Sequence, residues 1–314
     1  MTSRARALAI WAAILTILLT LPLYAPGYYI SLLISILMWV ILTVAWIIFS
    51  GYTGYISLAV AAFFGLGAYM SVIIWPILPS FPLVIIVGGL ASGFFAILIG
   101  FPCLRIRGPY FIILTLGLSE LVKYISQMYE VRVRGALGTI LMGGPSSEVL
   151  YYSLIIIAAI TAVTAYFVKN SKFGLGLFSI KANEEAAEAM GVDTTRYKLL
   201  SFSLSALFMG FAGAVMALRW TYIDPTVAFN PLMTFQVTIM AIFGGMEDFR
   251  GPIIGATVLT LISEAFGIKY PYHYMGLLGI TLILLIKFLP TGLMGLVSRL
   301  YIRKKIGGAL DAIS

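Results

Sequence analysis

A chain of 314 residues in which 61% are hydrophobic and only 10% are charged cannot clothe a compact particle in polar side chains, since soluble domains carry about 25% charged residues. The composition excludes a water-soluble globule and a disordered chain, and a single cysteine, Cys103, and a single histidine, His273, exclude a disulfide scaffold and a histidine-rich metal centre. The net charge of +8 reads as a signature of membrane orientation rather than of a nucleic-acid partner.

A helix needs about 20 mostly apolar residues to cross the hydrocarbon core. Runs of that kind lie at roughly Ala7 to Leu23, Tyr28 to Phe49, Ser57 to Leu78, Pro82 to Leu104, Tyr110 to Tyr129, Val149 to Val168, Leu199 to Ala217, Val227 to Met246, Pro252 to Ile268 and Tyr274 to Leu293. Asn230 and Pro231 interrupt the eighth, and Gly244-Gly245 separates it closely from the ninth. With the N-terminus inside, Arg4, Arg6, Arg105, Arg107, Lys169, Lys172, Lys181, Arg196, Lys198, Arg250, Lys287, Arg299, Arg303, Lys304 and Lys305 fall on the cytoplasmic side, as positive residues should. Arg132, Arg134, Arg219 and Lys269 fall outside. The expected fold is therefore all-α, a polytopic bundle of about ten transmembrane helices with both termini cytoplasmic, forming one domain over residues 1–314 in a cell membrane. Arg4 and Arg6 before an apolar run also fit a signal peptide, but no clear A-x-A site follows and an uncleaved first span is preferred.

No G-x-x-x-x-G-K-[ST] loop occurs, so the chain has no recognisable phosphate cradle of its own, and no Ser-His-Asp set or H-E-x-x-H pair points to an enzyme. No metal site and no cofactor of its own are expected. The longest polar stretch, at about 169–198, contains a segment that reads as a short helix: Asn183 caps it, Glu184 and Glu185 sit at the positive end of its dipole, and Gly191 ends it. Ala186, Ala187 and Met190 fall on one edge by helical spacing, with the acids expected on another. Such a short helix is marginal alone and suits docking into a groove on a partner, although an ordinary surface helix between spans fits the same periodicity.

Elsewhere the glycine-rich Gly51, Tyr52, Gly54 and Ser57 stretch fits either a broken helix lining a translocation pathway or a tight cytoplasmic turn. Gly65, Gly67, Gly210 and Gly213 are read as close helix packing. Glu120 and Lys123 lie three apart on the fifth span and are read as an intramembrane charge pair, a structural pair that Arg107 could join being preferred to a substrate contact. Trp11, Trp39, Trp46, Trp75 and Trp220 are read as interfacial anchors.

The Glu185-Ala186-Ala187 triplet with Gly191 resembles the coupling loop of ABC importer permeases, without the I-x-L-P that often follows. The continuation through Gly191-Val192 to Tyr197-Lys198 is similar to the permeases of branched-chain amino acid ABC transporters. Four further stretches resemble the same family: Gly51 to Leu58 with Ala61 to Tyr69, Arg105 to Phe111, Gly244 to Met246 with Gly251-Pro252 and Gly255-Ala256, and Pro290 to Leu296. Glu247-Asp248 departs from the Gly and Ser or Asn usual there. The resemblance implies a permease coupled through its short cytoplasmic helix to a separate ATPase. Its partners would be a second homologous permease, two ATP-binding cassette subunits that carry ATP and Mg, and an external solute-binding protein. Permeases for urea, amides or sugars are alternatives, as is an ion-coupled secondary carrier.

Overall fold

The computed structural model describes residues 26–246 and 248–269, together with the isolated positions 22, 24, 276, 279 and 292–294. In chain order the helices are α1 (Gly27–Trp46, continued by a π-helical turn at Ile47–Gly51), α2 (Val60–Ile74), α3 (Phe81–Cys103), α4 (Pro109–Arg134), α5 (Ser147–Asn170), α6 (Lys172–Ala182), α7 (Glu184–Ala189), α8 (Thr194–Trp220), α9 (Pro225–Ala228), α10 (Pro231–Gly244) and α11 (Arg250–Lys269). Two short strands, β1 (Thr139–Ile140) and β2 (Tyr222–Ile223), pair antiparallel. Among the described residues six helical stretches are long and apolar enough to cross a membrane: Gly27–Gly51, Phe81–Cys103, Pro109–Arg134, Ser147–Asn170, Thr194–Trp220 and Pro225–Gly244. The all-α polytopic class is thus observed. The expected first and tenth spans, with the basic residues Arg4, Arg6 and Arg299 to Lys305, lie outside the continuously described stretches.

Bond partners order the helix ends. The end read above as cytoplasmic, called inner below, collects Gly51, Arg107, Lys181, Glu184 and Lys198 through their contacts, and the other end, called outer, collects Arg134, Met142, Trp75 and Thr221. The long helices run alternately between these two ends, with α6 and α7 lying at one of them. At the outer end the β1–β2 ladder ties the loop after α4 to the exit of α8, and buried Glu130 accepts hydrogen bonds from the Gly138 amide at 2.8 Å and the Thr139 hydroxyl.

The 27-residue α8 forms the centre, packed against α2 and α3. Lipid offers no hydrophobic drive for apolar helices to associate, so small residues and interhelical hydrogen bonds must hold them. A Cβ on Gly67 would stand 2.1 Å from the Gly210 carbonyl oxygen, and one on Gly213 would stand 2.0 Å from that of Phe64. Ser71 Oγ donates to the Ala214 carbonyl at 3.0 Å, and Ser92 Oγ donates to that of Phe63 at 2.9 Å. The glycines expected to serve packing do so.

Among the described residues, non-helical backbone is buried between the spans at the entry to α2. After the π-helical turn the chain reverses at Gly54, with φ at +77°, and returns as non-helical backbone, so that α2 begins only at Val60. Such backbone inside a bundle needs partners for each N–H and C=O. They come from side chains. Trp46 Nε1 donates to the Ser57 carbonyl at 2.8 Å and Ser50 Oγ accepts from the Ser57 amide at 3.1 Å. Thr115 Oγ1 on α4 accepts from the Leu58 amide at 3.0 Å, Ser119 Oγ donates to the Leu58 carbonyl, and Thr234 Oγ1 on α10 accepts from the Ala61 amide at 3.1 Å. Trp46 is therefore no interfacial anchor. Its ring is fully buried because its indole N–H is needed inside the protein.

The eighth expected span is broken where Asn230 and Pro231 forecast it: α9 stops at Ala228, and the Asn230 side chain caps α10 by accepting from the Leu232 amide at 3.0 Å. Replacing Gly67 with Val drives a side chain into the Gly210 backbone of α8. We expect a loss of about 2 kcal/mol or more, read as a lowered thermal midpoint of the detergent-solubilised protein, whereas Gly117→Ala, where a Cβ meets nothing within 4 Å, leaves that midpoint unchanged.

Candidate functional site

The polar loop between α5 and α8 folds into α6 and α7. The Ser171 side chain caps α6 by accepting from the Gly174 amide at 3.2 Å. Asn183 starts α7, its Oδ1 accepting from the Ala186 amide at 3.1 Å as its Asn-capped reading requires. The helix closes with Met190 as its last half-turn, Gly191 at φ +87°, and the Val192 amide donating back to the Ala187 carbonyl at 3.0 Å. The ordered helix is thus the six residues Glu184–Ala189, and Met190 lies beyond it.

Its faces differ from the reading by periodicity. Ala187 alone is buried, while Ala186 and Met190 face outward, Met190 with 86% of its surface exposed. Glu184 turns inward instead of joining the exposed acids. The cap sets this register, which puts residues 184 and 187, three apart, against the protein. The outer edge then presents Glu185, Ala186, Ala189 and Met190.

Glu184 sits in a clasp that no single stretch of sequence reveals. Its carboxylate accepts from Lys198 Nζ at 2.6 Å and from the Tyr55 hydroxyl, with Arg107 3.6 Å away. Lys198 is 3% exposed, lies 4.8 Å above the Tyr55 ring, and donates also to the Leu104 carbonyl at 3.2 Å. Arg107 bridges on to Glu185 at 3.5 Å and Glu188 at 3.8 Å, and Glu188 accepts from the Thr194 hydroxyl at 2.6 Å. Lys181 Nζ donates to the Gly51 carbonyl at 2.9 Å. The clasp fastens α7 to the reversal at Gly51–Tyr55, to the α3–α4 loop and to the start of α8.

Burial by itself would raise the Glu184 carboxyl. The hydrogen bonds from Lys198 and Tyr55 and the charges of Lys198 and Arg107 outweigh it and hold the group below the usual carboxylate range. Burial, then the bond to this carboxylate, pushes the Tyr55 phenol far above its ordinary range, so it remains a donor.

The expected pathway residues Gly51, Tyr52, Gly54 and Ser57 lie in the reversal and its buried return. Tyr52 is fully buried, its hydroxyl donating to the Ala165 carbonyl at 3.3 Å. The backbone groups freed near Ser57 are bonded within the chain. Glu120 and Lys123 do pair, separately from the clasp. Arg107 is not their third member, because it stands at the loop before α4 and is held by the acids of α7. Asp248, in the departure noted above, accepts from Lys169 Nζ at 3.1 Å and caps α11 through the Arg250 amide. Tyr55, Arg107 and Lys198 were each legible only as members of separate motifs.

Removing one member of a buried pair leaves a desolvated charge behind. We expect Lys198→Met to lower stability by about 3 kcal/mol in thermal unfolding, and the double change with Glu184→Gln to regain most of it. A carboxyl whose pKa is depressed in the folded state contributes stability above its ordinary range and loses it as pH falls through the folded value. The hydrogen-exchange protection of residues 183–193, taken relative to the intrinsic rate at each pH, should therefore fall on acidification below the carboxylate range, and this response should vanish in Glu184→Gln.

A family model for the permease component of branched-chain amino acid transport systems matches residues 28–286. The chain is 27% identical over 289 residues to the high-affinity branched-chain amino acid transport system permease protein LivM of Salmonella typhimurium, covering 81% of this chain and 65% of the relative. It is 27% identical over 303 residues to the LivM protein of Escherichia coli, covering 86% and 68%. The chain thus spans about two thirds of the length of these relatives. It is also similar to the ribose import permease protein RbsC of Haemophilus influenzae, 22% identical over 45% of each chain. No solved structure matches. The long apolar helices, the basic inner end and the matched region agree: this multi-pass membrane protein belongs to the family of branched-chain amino acid transport permease components.

Proposed function

We propose that the chain is the membrane-spanning permease subunit of an ATP-driven importer of branched-chain or chemically related amino acids. Its partners are a second homologous permease, two ATP-binding cassette subunits that bind ATP and Mg, and an external solute-binding protein that delivers the cargo. The observation that carries the reading is the two-sidedness of α7. Its inner edge is fastened to the spans through Glu184, while Ala186, Ala189 and Met190, beside the largely exposed Glu185 that Arg107 reaches from one side, face outward for a partner. An exposed methionine beside small residues is soft and adaptable, suited to a cleft.

In this reading ATP hydrolysis on the partner displaces α7, and the clasp passes the displacement to Gly51–Tyr55 and to α8. Gly51, Tyr52, Gly54 and Ser57 then act as the moving element at the inner mouth of the pathway rather than as ligands. The similarity to the ribose import permease favours a second reading, in which the cargo is a sugar; binding of labelled leucine or ribose by the intact transporter separates the two.

Glu185→Lys reverses charge on the free edge, and Gly191→Val puts a β-branched residue where the backbone is left-handed. Both variants should insert into membranes and yet lose co-purification of the ATPase in mild detergent. Undiminished co-purification in both would overturn the docking role of α7.

A further inference from the structure

The least buried of the candidate spans is also the least apolar. Only 28% of the apolar window of α4 is covered within the chain, and its mean hydropathy is 1.3. Its covered face carries Phe111, Thr115, Leu118, Ser119 and Val122, which reach the α2 entry. At 100° per residue Glu120 projects from the opposite side, and Lys123 and Gln127 follow it along one flank at spacings of three and four. Glu120 is 34% exposed and Lys123 16%, near the middle of the 26-residue helix.

Charges at that depth do not face hydrocarbon, so this flank faces water or another subunit. Lys123 Nζ bonds Glu120, and it lies 5.2 Å from the Tyr124 ring centroid. A pair of this kind is neutral overall yet offers one anion and one cation a side chain apart. That is the complement of a free amino acid, whose ammonium and carboxylate sit on one carbon. A lone fixed charge in a pathway would retain cargo. A paired one exchanges its internal bond for two bonds to the zwitterion and, on closing again, displaces it.

We propose that Glu120 and Lys123 form a transient subsite for the charged ends of a zwitterionic amino acid, Glu120 taking the ammonium and Lys123 the carboxylate. This rests on the reading of the cargo as an amino acid. It assigns the pair a role in passage that a sugar permease would not need.

The test uses the complete transporter in proteoliposomes, with leucine as the probe. A structural pair predicts that Glu120→Gln and Lys123→Met each impair the protein, while the double variant, which leaves no unpaired charge, recovers leucine uptake. The subsite predicts that the double variant still loses uptake by about tenfold or more, as expected for lost hydrogen bonds to charged groups, while assembly and ATP hydrolysis persist. Wild-type uptake by the double variant overturns the proposal. Should the double variant fail to assemble, Leu116→Cys in a Cys103→Ser background decides, since residue 116 lies one turn from Glu120 and leaves the pair intact. Reaction with a charged, membrane-impermeant thiol reagent that leucine slows supports the subsite, and no reaction, or reaction indifferent to leucine, overturns it. Absence of leucine uptake by the unaltered transporter overturns instead the functional reading on which the proposal rests.

Discussion

The architecture turns on the need to satisfy non-helical backbone inside an apolar bundle. Ser57 and Leu58, with the Ala61 amide at the start of α2, carry backbone groups that no helix of their own pairs, and hydrocarbon would leave them bare. Trp46 and Ser50 from α1, Thr115 and Ser119 from α4 and Thr234 from α10 supply the partners. Those few polar side chains fix how three helices meet around the start of α2. They also explain why α1 is buried so thoroughly, since a helix that must deliver an indole N–H and a hydroxyl inward cannot lie at the lipid boundary.

Much of the fold was legible because a span is a statement about composition and length. The ends of α3, α5 and α11 fall within a few residues of the apolar runs, and Asn230-Pro231 marked the break between α9 and α10. The opening turn of α2 was not legible, because Ser57 to Ala59 is as apolar in neighbourhood as a helix and only hydrogen bonds from distant residues hold it out of the helix. Trp46 misled for the same reason: hydropathy places tryptophan at interfaces, and the acceptor that draws it inward is eleven residues away.

At the site, local chemistry was readable and tertiary chemistry was not. The Asn183 cap and the Gly191 stop follow from residue type, and both are present. The direction of Glu184 does not, since helical spacing defines faces but not which of them is turned toward the protein. Lys198 and Arg107 were visible as basic residues of the inner side. Their meeting on one carboxylate, with Tyr55 from a third stretch, depends on where four loops converge. The motifs were pieces of one cluster separated along the chain.

The described spans differ in continuity. α1 ends in a π-helical turn, α2 starts late, and α9 and α10 are parted at Phe229-Asn230, but α8 runs unbroken from the clasp at Lys198 to the ladder beyond Trp220. At 27 residues it is the longest of the described helices and lies at the centre of the bundle. Seated against α2 and α3 through glycine contacts and the Ser71 bond to its Ala214 carbonyl, it joins two polar clusters by covalent backbone alone, so the spacing between the clasp and the strand ladder is set by the length of a single helix.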